Sequence, residues 1–175
     1  LTFKELPNAP KYHPDVKVYE VFDENNKHLA IFMSDYFTRS TKSQGAWMNS
    51  MKESYVNTKT NEDIRPIIYN VADSPSLLTL DDAQTMFHEF GHALHGILSR
   101  TKYNSQSGTN VDRDFVELPS QINEHWSIEP ELLKEYAHHY KTNEPIPDDL
   151  IQKLHESPFH NAGFRNAELV AAAYL

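Results

Sequence analysis

The sequence predicts an α+β fold, mainly α, in which a small antiparallel sheet precedes a helical region. Three observations predict it. β-Rich runs fall at residues 16–22, 29–37 and 65–71, in the first half of the chain. Residues 81–100 then carry apolar side chains at helical spacing. Further helical stripes follow towards residue 175. The expected organisation is a lead-in at residues 1–15, a sheet region at 16–75 and a helical region at 76–175.

The lead-in holds Pro7, Pro10 and Pro14 and reads as irregular. Asp23-Glu24-Asn25-Asn26-Lys27 joins the first two β-rich runs with polar turn residues, which predicts a hairpin. Residues 40–44 form a polar loop. Gly45-Ala46-Trp47-Met48 opens a short apolar segment whose Trp is expected in the core. The third strand has Pro66 at its start, where no ladder donor is lost, and it ends at Asp73-Ser74-Pro75.

The helix at 81–100 is amphipathic. Ala83, Met86, Phe87, Phe90, Ala93, Leu94, Ile97 and Leu98 form an apolar face that looks inward. Thr79, with Asp82 three residues on, caps its start, and the acidic first turn suits the positive end of the helix dipole. Residues 99–111 are a polar link. Its Ser107-Gly108-Thr109 suits a mobile loop whose backbone can approach a ligand closely, so Gly108 and Thr109 are candidate substrate contacts; a plain surface connector is the alternative. A second helix begins near Asp112. Phe115, Val116, Leu118, Ile122 and Trp126 share one face of it, while Glu117 and Gln121 point the other way. Pro119 either kinks this helix or marks its first turn. Helices are expected at 131–140, 147–157 and 161–175, the first with a stripe of Leu132, Leu133, Tyr136 and Tyr140.

Composition narrows the partners. The 175 residues include 16 basic and 25 acidic side chains, a net charge of −9, and no basic stripe, so nucleic acid is not an expected partner. No apolar run reaches the roughly 18 residues of a membrane-spanning helix, so no membrane partner is expected. The chain has no Cys, which rules out disulfides and thiolate ligands and fits a reducing, cytoplasmic location. It opens on Leu-Thr-Phe and stops within a helical pattern. A segment of a larger polypeptide is therefore expected, with the remainder of that polypeptide as a partner.

The chemistry concentrates in His88-Glu89-Phe90-Gly91-His92. On a helix the two imidazoles fall about 40° apart, on one face, where they can share a single Zn²⁺. Glu89 then lies beside the open coordination position as a proton acceptor for water. The bland alternative is a chance match on a helix that buries one histidine. Catalytic zinc takes three protein ligands, and Glu117 is a candidate third; a solvated surface carboxylate is the competing reading. His95 reads as a cleft-lining residue. Glu124 and His125 follow Glu117 by two turns and could support the site from behind. His138, His139, His155 and His160 read as surface or core-edge residues.

Residues 88–96 (HEFGHALHG), 107–110 (SGTN) and 113–126 (RDFVELPSQINEHW) resemble the thimet oligopeptidase family of zinc metallopeptidases. The likeness runs from about Val16 onward. It implies a helical, zincin-like catalytic core with one Zn²⁺ per chain, held by His88, His92 and Glu117, and with Glu89 as general base. It implies hydrolysis of short peptides, and the details of 107–110 and 121–126 point to the branch that releases C-terminal dipeptides. Internal cleavage is the alternative within the family; a non-catalytic peptide-binding fragment is the alternative outside it. The family's transition-state donors belong to a segment later than residue 175. By analogy with other zinc peptidases, residues 69–72 are a candidate edge strand against which an extended substrate adds as a further strand.

Overall fold

The computed structural model describes residues 1–157 and 162–174. They form two compact units, residues 1–125 and 126–175.

In the first unit, β1 (Thr2–Glu5), β2 (Lys17–Phe22), β3 (His28–Phe37), β4 (Ala46–Lys52) and β7 (Ile67–Ser74) make one sheet in the order β1-β2-β3-β7-β4. A separate ribbon pairs β5 (Tyr55–Asn57) with β6 (Glu62–Ile64). The hairpin of β2 and β3 forms as expected, and Asp23 closes its turn by accepting from the backbone N–H groups of Asn25 and Lys27. Helix α1 (Leu80–Leu98) lies on one face of this sheet. Val21, Leu29, Ala30, Phe32 and Ile68 meet Ala93 and Ile97 there. Burial of each larger side chain contributes about 1.5–3 kcal/mol. Phe90 enters an aromatic group, with ring centroids 5.9 Å from Phe3 and 5.8 Å from Phe32. On the opposite face Val16, Val18 and Met33 are covered by Leu6 and Ala9. The two-residue alternation of strands thus gives the sheet two apolar faces.

Both ends of α1 are fixed. Thr79 and Asp82 form the expected capping box. At the other end Arg65 donates to the Ile97 carbonyl at 3.0 Å and to the Leu29 carbonyl at 2.7 Å, which ties the last turn to β3.

Several expectations are corrected. The sheet is larger than the three-stranded antiparallel one read from the sequence, and it is mixed: β3 and β7 run parallel, because the chain crosses over through β4 to β6 before returning. The lead-in is not irregular throughout, since β1 pairs with β2 and sets the Phe3 ring edge-on to Phe32, with centroids 6.0 Å apart. Residues 69–72 are not an edge: β7 is hydrogen-bonded on both sides, and β4 is the edge beside it. Trp47, expected in the core, points outward from β4 and is 40% exposed. Leu98 is likewise exposed at the end of α1.

In the second unit α3 (Pro130–Tyr136), α4 (Asp148–Glu156) and α5 (Ala162–Ala173) are helical. α3 stops short of residue 140. The chain instead turns at Asn143, which adopts a left-handed conformation, and His138 bridges back to Pro145. Leu133 and Ile151 are buried, whereas Tyr140 is exposed. His138 and His139 bond to their own neighbours at the surface, while His160 lies outside the described residues.

Candidate metal centre

One residue of helical rotation separates His88 from Glu89, and it sends them to different surroundings. His88 and His92, one turn apart, emerge side by side with ring centroids 4.8 Å apart. Glu89 turns towards the sheet and is buried. Burial pushes its carboxyl up from the ordinary value and the Glu117 carboxylate adds to this, while His88 and a hydrogen bond with the Met48 backbone pull it back.

The second wall is α2 (Leu118–Glu124), with Pro119 in its first turn, the second of the two roles expected for that residue. It lies unusually close to α1 because Gly91 has no side chain. A Cβ on Gly91 would stand 2.6 Å from the Ser120 Cα and 2.7 Å from the Pro119 carbonyl oxygen. Asn123 clamps the contact by donating to the Phe87 carbonyl at 2.6 Å. The face carrying Phe115, Leu118 and Ile122 is exposed. Glu117 sits just before α2, where Ser120 Oγ donates to its Oε2 at 2.8 Å.

The result is a converging set of donors. Glu117 Oε2 is 3.2 Å from Nε2 of His88 and 3.2 Å from Nε2 of His92. One donor atom from each of the three residues lies within 4.8 Å of the others. A tetrahedral zinc with bonds of about 2.0–2.2 Å holds its ligand atoms roughly 3.3–3.6 Å apart. The two oxygen-to-nitrogen distances are close to that spacing, and the donor set of two nitrogens and one carboxylate oxygen suits such an ion. Protonation states agree with the fit. Burial lowers the His92 pKa, partly against the Glu117 carboxylate, and favours the neutral ring. The Ser120 hydroxyl lowers that of Glu117, opposed by desolvation and aided by both histidines. Neutral imidazole and ionised carboxylate are the ligating forms.

Gly91→Ala in the full-length protein is therefore expected to push α2 away and carry Glu117 with it. Helix preference alone favours Ala by about 1 kcal/mol. The clash costs about 1–3 kcal/mol and should dominate, with weaker zinc binding as a second effect. Thermal unfolding and zinc titration check this; a more stable variant with unaltered affinity refutes the packing argument.

His88, Glu89, His92 and Glu117 are thus brought together. Gly108 is not part of this group: with φ +53° it packs on α1, where a Cβ would meet Gly96 Cα at 3.1 Å. Its N–H donates to Ser99 Oγ at 2.9 Å, within a knot of the Ser54, Ser99 and Ser107 hydroxyls that pins the loop. Gly108 lines a cavity of about 410 Å³ together with His95, Val111 and Pro119, and Thr109 beside it is half-buried. A different cavity, of about 380 Å³, reaches His88 and Glu89 and is lined also by Asp81, Gln84, Thr85 and Glu124. His95 has its ring against Phe115, and His125 turns back to the Gln121 carbonyl of its own helix.

Sequence reasoning named Glu124 as a candidate support without its partner His88, and it did not find the Ser120 prop or the role of Gly91. The spacing of Ser120 three residues, and Glu124 seven residues, after Glu117 was the available signal.

The relatives of this chain carry the names of peptidases. It is 47% identical to the dipeptidyl carboxypeptidase of Escherichia coli K12 over the whole chain, which covers 26% of that protein. It is 39% identical to oligopeptidase A of the same organism over 88% of the chain, covering 24% of that relative. Identity to the mitochondrial intermediate peptidase of Coccidioides immitis is 32% over 82% of the chain and 22% of that protein. The chain belongs to peptidase family M3, whose profile matches residues 1–175. The resemblance read from the motifs is borne out. The chain spans about a quarter of the length of these curated relatives.

Proposed function

We propose that this chain is the metal-binding part of a zinc-dependent peptidase that releases C-terminal dipeptides from short peptides. The observation that carries this is the meeting of His88, His92 and Glu117, from two separate stretches, beside the buried carboxyl of Glu89. His88, His92 and Glu117 hold one zinc ion. When bound, zinc supplies Lewis-acid polarisation of a carbonyl and makes water more acidic. Glu89 takes the proton of the attacking water and later delivers it to the leaving amine nitrogen. A carboxyl pushed up by burial is better matched to that double role than an ordinary one. The cavity lined by Gln84, Thr85 and Glu89 admits the substrate, and the edge strand β4 offers backbone groups to an extended peptide. Gly108 and Thr109 are proposed as substrate contacts outside that cavity, on the loop beside the separate one that Gly108 lines. The Cys-free composition fits action in the cytoplasm.

Dipeptide release is favoured by the relative of highest identity among those above, and internal cleavage by the relative named oligopeptidase A. Product mapping separates them. With short peptides of free and amidated C-terminus, the full-length protein is expected to release dipeptides from the free ends and to slow markedly on the amides. Equal cleavage of both would favour the internal mode.

A further inference from the structure

The carboxylate of Glu124 stands 2.5 Å from Nδ1 of His88, on the side of the ring away from Glu117. Its other oxygen, Oε2, accepts from the Gln84 amide at 3.2 Å, so the group is held between two turns of α1. An imidazole has one proton to place when neutral. If Nδ1 carries it and donates to Glu124, Nε2 is left with its lone pair directed at the space shared with His92 and Glu117. The His92 ring lacks this support: its Nδ1 is buried and has no hydrogen-bond partner among the described residues. Orientation of the histidine pair therefore falls unequally on the two rings.

We propose that Glu124 is a positioning residue that fixes the tautomer and ring angle of His88 and thereby tightens metal binding. The inference rests on the zinc reading above, and it assigns to α2 a second task besides delivering Glu117. A carboxylate behind a ligating imidazole also makes the ring nitrogen a better donor, and removing such a partner typically costs about 10–100-fold in metal affinity.

The test uses the full-length protein and zinc alone, with affinity measured by competition against a chromophoric chelator. Glu124→Gln keeps the shape but loses the charge. It is expected to bind one zinc about 10–100-fold more weakly, with thermal unfolding of the zinc-free protein unchanged. The visible spectrum of the cobalt-substituted variant should also shift, which a merely structural residue would not cause. If wild type binds zinc and Glu124→Gln binds it equally tightly, the positioning role is overturned while the site stands. If wild type binds no stoichiometric zinc, the site itself is overturned and the positioning role goes with it. Should the glutamine variant be destabilised without metal, Glu124→Asp decides: it keeps the charge but withdraws it from Nδ1. Weakened binding there supports the proposal, and wild-type affinity overturns it.

Discussion

Glu89→Gln in the full-length protein is expected to retain zinc and to lose peptide hydrolysis by about 10²–10⁴-fold, the usual contribution of a positioned general base. Glu89 leaves α1 on the side facing the sheet, so it is not one of the three converging donors, and its amide analogue leaves those donors in place. The substitution should also be tolerated structurally, because an uncharged side chain of the same shape is easier to bury than a carboxylate. Metal analysis and a peptide cleavage assay on the same preparation check it. Retained hydrolysis would remove Glu89 from the mechanism; lost metal would make it a structural residue.

A comparably large effect lies away from the centre. Asp35 is buried at the end of β3 and accepts from Arg39 at 2.6 and 2.7 Å and from the Tyr12 hydroxyl at 2.9 Å. Lys42, itself buried, is 2.9 Å from the same carboxylate and also donates to the carbonyls of Asp35, Phe37 and Ala72. This network fastens the lead-in and the start of the crossover to β7. Asp35→Ala leaves the Lys42 ammonium buried without its counter-charge, and breaking a buried pair in this way costs about 3–5 kcal/mol. Desolvation opposes ionisation of Asp35, but Arg39, Lys42 and Tyr12 outweigh it and hold the carboxyl down at about 2, against an ordinary 3.8. A depressed carboxyl stabilises the fold above its unfolded value and loses that contribution as pH falls through the folded one. The shift corresponds to about 2 kcal/mol, present above roughly pH 4 and lost by roughly pH 2. Denaturant unfolding at pH 7 and pH 3 should show the acid loss in wild type and a shallower one in Asp35→Ala. Identical acid profiles would contradict the network's role.

What could be read from the sequence was what depends on neighbours in the chain. The period and cap of α1 are local, so the helix, its start at Thr79 and the shared face of His88 and His92 were legible. The β2–β3 hairpin was legible for the same reason, through Asp23 and its turn. The direction of β7 was not, because β3 and β7 are joined through β4 to β6 and no local residue specifies parallel pairing. Three prolines obscured β1, whose partners Tyr19 and Phe32 are distant in sequence. At the site Glu117 could be nominated by its motif, but its reach depends on a missing side chain at Gly91 and a hydroxyl at Ser120. The network of Asp35, Arg39 and Lys42 emerged only with the fold, because Asp35 lies on a strand, where the four-residue spacing to Arg39 signals no contact.

The central claim is that α1 and the chain entering α2 share one metal ion. It is tested most directly by zinc content and affinity of the full-length protein beside its His88→Ala, His92→Ala and Glu117→Ala variants. One zinc per chain, with binding sharply weakened in all three, is the predicted result. Wild-type affinity in Glu117→Ala would contradict it, since the second stretch would then have no part in the centre.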